Sequence, residues 1–336
     1  MLLEIRDLTV DYRATRGRVR AVDGVSFNVP AGAVVGVVGE SGCGKTTAVR
    51  AITRVMPSSA VFAGGSISLD GVDLVQLSER AMKAHLWRDI AYVPQSAMNA
   101  LDPVWRVGRQ IEEVLVDRGG MDRKVARVRA ENLFAMVGLE AKRLSDYPHQ
   151  FSGGMRQRAS IALALALSPK LVIADEPVTA LDVVIQRQVL DTFGELQKQL
   201  NLSVILVTHD ISVVAYVCDY VVVMYAGKVV ESGPTARVLD NPAHPYTMGL
   251  YNAFPELAGE DRELSPIEGS PPDLLDAPKG CRFRARCPFN LDVCTSDPPE
   301  YQVRAGHLAY CHRAPEAGVL RETAKKTATW LGAKSE

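Results

Sequence analysis

Gly39-Glu40-Ser41-Gly42-Cys43-Gly44-Lys45-Thr46 follows the apolar run Val34-Val35-Gly36-Val37-Val38 and opens into Thr47-Ala48-Val49-Arg50-Ala51-Ile52. Every fixed position of the pattern G-x-x-x-x-G-K-[ST] is filled. Glycines let the backbone wrap tightly, so that successive N–H groups point inward at the phosphates of a nucleoside triphosphate while the following helix offers its positive end. Lys45 would reach the terminal phosphates. Thr46 would place its hydroxyl on a magnesium ion that bridges the same oxygens. A Gly-rich turn that binds nothing is the plainer alternative, but an apolar strand before and a helix after are the context the motif requires.

With 336 residues the chain has room for one large core and a smaller annex, so two structural units are expected. Lys plus Arg number 38 against 39 Asp plus Glu, a formal net charge of −1, which argues against a broad basic surface for nucleic acid. Met1-Leu2-Leu3-Glu4-Ile5-Arg6-Asp7 is charged within a few residues, so no secretory signal is expected. The most apolar segment, Ile161 to Leu167, is too short to span a bilayer. Any membrane role is therefore expected to run through other chains. Of six cysteines, Cys43 and Cys218 stand alone, whereas Cys281, Cys287, Cys294 and Cys311 crowd the C-terminal part, more in the manner of a metal site than of a disulfide framework.

Residues 2 to 12 alternate apolar and polar, the period of a half-buried strand that carries Tyr12, an aromatic platform for a flat base or simply an exposed ring. An arginine-rich break is expected from Arg13 to Arg20, and a second strand at Val25 to Val29. Ile90-Ala91-Tyr92-Val93-Pro94-Gln95 reads as a short buried strand that delivers Gln95 as a magnesium or water contact. From Val107 to about Leu144 the spacing is helical, as in an insert hung from the sheet. Ser152 stands at an N-cap position before an Ala-rich helix. Leu171-Val172-Ile173-Ala174-Asp175-Glu176 fits a strand buried on both faces that ends in two carboxylates. Asp175 is placed to hold the magnesium shell, and Glu176 to orient or deprotonate an attacking water. Val204-Ile205-Leu206-Val207-Thr208-His209 repeats the pattern and ends in a histidine that could touch the same phosphate.

In order and spacing, Gly39 to Thr46, Gln95, Ser152-Gly153-Gly154-Met155-Arg156-Gln157, Asp175-Glu176, Ala180-Leu181-Asp182 and His209 resemble the nucleotide-binding subunits of ATP-binding cassette transporters, over about residues 1 to 235. The resemblance implies an α/β fold: a P-loop ATPase core with a mainly parallel sheet, an N-terminal antiparallel β subdomain, a helical insert and a small cysteine-rich C-terminal annex. It divides the chain into an ATPase domain at 1–255, with the insert at about 101–168, an annex at 256–320 and a tail at 321–336. Two such subunits sandwich two ATPs head to tail. Gly39, Ser41, Gly42, Cys43, Gly44, Lys45, Thr46 and Thr47 would then hold the phosphates, and Tyr12 would stack on the adenine. Ser152, Gly153 and Gly154 would serve the partner's nucleotide, and Asp182 would make a contact across the dimer. Magnesium falls to Thr46, Gln95 and Asp175, and catalysis to Glu176 as water activator, His209 as switch and Gln95.

Met224-Tyr225-Ala226-Gly227-Lys228, His244-Pro245-Tyr246-Thr247, Gly269-Ser270-Pro271-Pro272 and the cysteines resemble the oligopeptide and dipeptide importer branch, which also includes nickel, opine and oligosaccharide systems. By chemistry alone, four thiolates suit zinc as well as iron, with His307 and His312 as neighbouring substitutes. The branch implies a [4Fe-4S] cluster on Cys281, Cys287, Cys294 and Cys311 rather than zinc. With no electron donor or acceptor in the sequence, the cluster is expected to staple a loop-rich annex too small for its own core. It also implies a peripheral place on the cytoplasmic face of the membrane and a cycle powered by ATP. The expected partners are two integral membrane permeases, a second related ATPase subunit and, through the permeases, an extracytoplasmic binding protein, with no nucleic acid. Two rivals share the nucleotide residues. A DNA-handling ATPase needs a long insertion between Gly44 and Ser152 for which there is no room. A soluble ATPase of iron-sulfur cluster assembly should lack the His244-Pro245-Tyr246 motif and the cysteine annex.

Overall fold

The computed structural model describes residues 1–15, 17–95, 100–179, 181–253 and 266–331. Four strands, β1 (Leu3–Ala14), β2 (Gly17–Val29), β4 (Ala60–Leu69) and β5 (Val72–Asp73), make an antiparallel sheet in the order β2-β1-β4-β5. The break expected at Arg13 to Arg20 is instead a hairpin, because Arg18 and Arg20 reach across to the buried carboxylate of Asp11 at 3.3 and 3.1 Å. Each arginine keeps its head near water while Asp11 is fully paired, so a polar sequence is compatible with continuous strand.

The larger sheet contains β3 (Val34–Val38), β6 (Ile90–Val93), β7 (Leu171–Asp175), β8 (Ser203–Thr208), β9 (Tyr220–Tyr225), β10 (Lys228–Pro234), β11 (Glu300–Arg304) and β12 (His307–Tyr310). Its order is β11-β12-β10-β9-β3-β8-β7-β6. The five strands from β9 to β6 run parallel, and β10, β12 and β11 extend the sheet antiparallel. β3, β7 and β8 are buried along their whole length, which explains why their sequences are near-continuous apolar runs rich in Val, Ile and Leu. Apolar side chains of the two faces feed two separate cores, so a β-branched residue is useful at every position.

The helical insert is present as Val107–Glu113, a π turn at Val114–Arg118 and Arg123–Met136, with Gly119-Gly120 marking the break between them. Ser152 caps the helix Gly153–Ala164, its hydroxyl accepting from Met155 N at 3.3 Å. The C-terminal segment is welded to the larger sheet: β12 pairs with β10, and Phe283, Cys287, Phe289 and Trp330 pack into the same apolar cluster as the insert. The boundary expected at 255 and 256 lies outside the described residues.

Candidate active site

Strand β3 delivers the phosphate loop at its C-terminal end. Gly39 adopts a positive φ and lies so close to Met224 that a Cβ would sit 2.1 Å from the Met224 carbonyl oxygen; at Gly44 it would sit 2.2 Å from that of Ala21. Both closures need glycine, which accounts for these two fixed positions. Lys45 starts the helix Lys45–Thr53, is buried, and donates through Nζ to the carbonyls of Gly39 at 2.7 Å and Glu40 at 2.9 Å. An ammonium bound by two loop carbonyls and, at 3.8 Å, the Cys43 sulfur exchanges readily for phosphate oxygens, which are the stronger, charge-assisted acceptors. Burial pushes the Cys43 thiol up, against the pull of Lys45, so it sits neutral beneath the loop.

Thr46 Oγ1 donates to Asp175 Oδ1 at 3.0 Å, and the hydroxyl of Tyr92 donates to Asp175 Oδ2 at 2.7 Å. Arg50 Nε in turn donates to the Tyr92 hydroxyl at 3.2 Å. The fully buried Asp175 is therefore aimed at the Thr46 hydroxyl, the pairing expected of two magnesium ligands. Burial raises the Tyr92 phenol well above its ordinary range, keeping it a hydrogen-bond donor.

Glu176 leaves β7 in a left-handed turn, φ +47°, with its N–H bound to the Val207 carbonyl at 2.8 Å. Gln95 Nε2 donates to its Oε2 at 2.7 Å and Thr179 Oγ1 to the same oxygen at 3.0 Å, while His209 Nδ1 lies 3.3 Å from Oε1. Burial raises the Glu176 carboxyl, but the contacts with Thr179, His209 and Gln95 outweigh it and hold the group below its usual range. A carboxylate that stays ionised and is held by three side chains from three strand ends can take a proton from water.

Tyr12 reaches the same corner, its hydroxyl 3.2 Å from Thr47 Oγ1. Tyr12, the loop, Asp175, Glu176, Gln95 and His209 are thus brought together. Ser152, Gly153, Gly154 and Asp182 form a second group, with no hydrogen bond to the phosphate loop among the described residues. The two parts of that group abut: a Cβ at Gly154 would sit 2.4 Å from Ile185 Cγ2, and Asp182 Oδ1 caps the helix Val183–Leu200 by accepting from Ile185 N at 2.9 Å. Ala180 lies outside the described residues. Tyr92, Arg50 and Thr179 were not legible as site residues. A strand tyrosine and a loop threonine carry no local signal, and their partners lie far off in sequence or one turn away.

Cys281, Cys287, Cys294 and Cys311 line one small cavity together with His244 and His312. Arg313 N–H donates to Cys311 Sγ at 3.4 Å. Burial pushes the Cys281 and Cys287 thiols up, and that of Cys311 to about 11. Among the described residues no group of three or more His, Cys, Asp or Glu side chains stands ready to hold a metal ion. His307 does not join the cysteines. Its Nε2 is 2.7 Å from Glu231 Oε1, both fully buried, so its reading as a substitute ligand is corrected. His244 does line the cavity, with Nδ1 accepting from Tyr246 N at 3.0 Å and Nε2 without a partner.

The family described as ABC transporter matches residues 22–179, and the oligopeptide/dipeptide transporter C-terminal region matches 230–294. The dipeptide transport ATP-binding protein of Bacillus subtilis is 44% identical over 314 residues, 92% of this chain and 94% of that one. This chain belongs to the ABC transporter family. A second member, the oligopeptide transport ATP-binding protein of Salmonella typhimurium, is 42% identical over 94% of this chain and 95% of its own. Among solved structures, a dimeric ATP-binding cassette in a post-hydrolysis state with ADP and phosphate superposes with a TM-score of 0.62 at 26% identity, covering 69% of this chain and 98% of that one. As an ABC ATPase the chain carries the expected fold, a mixed sheet around the phosphate loop with the antiparallel sheet beside it.

Proposed function

We propose that the chain is the ATP-hydrolysing subunit of a peptide importer, driving uptake of oligopeptides or dipeptides through partner permeases. The observation that carries the enzymatic half is the ring of Gln95, Thr179 and His209 around an ionised Glu176, beside the Thr46–Asp175 pair. The transport half rests on the C-terminal region match and on relatives named for dipeptide and oligopeptide transport. Nickel, opine and oligosaccharide import, and a soluble role in cluster assembly, have no observation in their favour.

In this reading Lys45 and the loop N–H groups bind the β- and γ-phosphates, and Tyr12 stacks on the base. Magnesium supplies charge neutralisation when bound, with Thr46, Asp175 and Gln95 as its holders. Glu176 takes the proton of the attacking water, and His209 fixes the carboxylate from the other side. Ser152, Gly153, Gly154 and Asp182 act on the nucleotide of a second ATPase subunit, which explains why they lie apart from their own loop. Val183 and Val184, immediately after Asp182, are 76% and 67% exposed, an apolar pair suited to such a partner face. The third phosphate ties Lys45 of one subunit to Ser152 of the other. Its loss on hydrolysis reopens the pair.

No helix among the described residues is long and apolar enough to cross a membrane. The chain's likeness to transport ATP-binding proteins supports a place at the cytoplasmic face against two permeases. Val104, 70% exposed, and the exposed Trp105 follow the Gln95 segment and offer an apolar landing place for them. The second ATPase is read as a related but different chain, and an extracytoplasmic binding protein as the source of substrate.

The cysteine cavity belongs to this reading in a narrower way. Four sulfurs around one pocket are the donor set an iron-sulfur cluster takes, and zinc would accept it too. A bound cationic centre would offset the burial that now favours neutral thiols. Among the described residues the side chains do not close around a single ion, as zinc would require, whereas a four-iron cluster takes each thiolate on a different iron.

The test is reconstitution of the chain with its permeases and companion ATPase in liposomes. ATP-dependent peptide uptake that stops when Lys45 is replaced supports the reading. A complete assembly that closes as tightly around ADP as around ATP overturns it. Anaerobic purification followed by iron, sulfide and zinc analysis decides the cysteine centre.

A further inference from the structure

Glu40 is the second residue of the phosphate loop, and both of its ends are held from outside the ATPase motifs. Its backbone N–H donates to the Tyr246 hydroxyl at 2.9 Å, and its carboxylate accepts from Arg286 Nη1 at 2.7 Å. Tyr246 is fully buried, with its ring 4.7 Å from that of Tyr225 and 5.4 Å from that of Phe283. Arg286 is almost fully buried and its head is spoken for on every side. Nε donates to the Glu268 carbonyl at 2.8 Å, Nη2 to that of Ile267 at 3.1 Å, and Nη1 also reaches the Tyr225 hydroxyl at 3.3 Å. The guanidinium is thus a fixed object of the annex, presented to the loop, rather than a mobile surface cation.

We propose that the C-terminal annex, together with the helix Pro245–Asn252 that packs on it, clamps the phosphate loop, with Arg286 and Tyr246 as positioning residues that set the affinity of the site for ATP. The inference rests on the ATP-binding reading above. A carboxylate in a loop built to receive a polyphosphate repels the ligand unless it is neutralised. Arg286 performs that neutralisation and turns the carboxylate toward the annex. Tyr246 fixes the same residue through its backbone, so the N–H groups that follow keep the curvature a phosphate needs. A pair that merely stapled annex to core would have no stake in the charge of the nucleotide. The two roles therefore differ in what rescues the loss.

The experiment uses the full chain and a fluorescent ATP analogue with magnesium, followed by steady-state ATPase in the complete assembly. Arg286→Gln strands the Glu40 carboxylate beside the phosphates and should raise the dissociation constant on the order of tenfold, appearing in KM far more than in kcat. Glu40→Gln in the same chain removes the stranded charge and should return affinity to within about threefold of Glu40→Gln alone. An affinity untouched by Arg286→Gln, or a double variant as weak as that single one, overturns the clamp. Should Arg286→Gln fail to fold, Glu40→Ala tests the pair from the loop side. It leaves the guanidinium unopposed, so binding should tighten at low salt and lose that gain at high salt, and binding that does not change overturns the proposal. A wild-type chain that does not bind ATP would instead remove the function proposed above, which keeps the two failures distinct.

Discussion

Gln95 Nε2 donates to Glu176 Oε2 over 2.7 Å. The two side chains leave the C-terminal ends of β6 and β7, parallel neighbours in the sheet, and meet where a terminal phosphate would lie. The contact preorganises the carboxylate for one face of an attacking water. Glu176→Gln keeps the shape and removes the proposed base. Turnover in the complete assembly should fall by roughly two to four orders of magnitude, with ATP binding retained. Phosphate release at the wild-type rate would strip Glu176 of that role.

Thr179 offers a finer test, because its hydroxyl touches Glu176 Oε2 at 3.0 Å. Burial pushes the Glu176 carboxyl up, but Thr179, His209 and Gln95 together hold it below the usual range. The ionised form, the one the proposed base role requires, therefore persists to lower pH than an ordinary glutamate would allow. Thr179→Val withdraws one donor to the charged form, so the carboxyl titrates higher and the acid limb of the kcat profile should move to higher pH. A limb that stays in place, or moves to lower pH, contradicts the assignment.

What could be read beforehand and what could not separate along a physical line. Strand ends carry their chemistry in sequence: an apolar run followed by Gly39 to Thr46, by Asp175-Glu176 or by His209 announces both the strand and the residue it delivers. Contacts fixed by tertiary pairing announce nothing. The Arg13 to Arg20 segment resembled a loop because the buried Asp11 that justifies its arginines faces them only once the hairpin has formed. His307 resembled a substitute ligand because it lies four residues from Cys311, whereas its partner, Glu231, is 76 residues away. The His244-Pro245-Tyr246 motif was legible as a branch marker, but its contact with Glu40 N–H spans 206 residues.

Tyr92 is the least conspicuous member of the site. Its hydroxyl donates to Asp175 Oδ2 at 2.7 Å and accepts from Arg50 Nε at 3.2 Å, steering a buried carboxylate toward Thr46. Partners of this kind around a metal ligand commonly contribute about tenfold or more to metal affinity or activity. Tyr92→Phe should raise the magnesium concentration needed for half-maximal ATPase by about tenfold, with a smaller change in the ATP requirement at saturating magnesium. Equal losses at every magnesium concentration would show that the ring serves packing alone.

Glu231 joins annex and core more deeply than any surface ion pair. It is fully buried in β10 and accepts from Ala243 N at 2.7 Å, from His244 N at 2.9 Å and from His307 Nε2 at 2.7 Å. One carboxylate thereby fixes β12 and the start of the helix Pro245–Asn252, the element that carries Tyr246 to the phosphate loop. Glu231→Ala leaves three buried groups without their acceptor, at a cost of about 3 kcal/mol or more. Urea unfolding should register that loss, and protease should cut the annex sooner than in the wild-type chain. ATP affinity should fall with it, because Tyr246 loses its footing. A variant with unchanged unfolding midpoint and unchanged nucleotide binding would mean that the annex is held elsewhere.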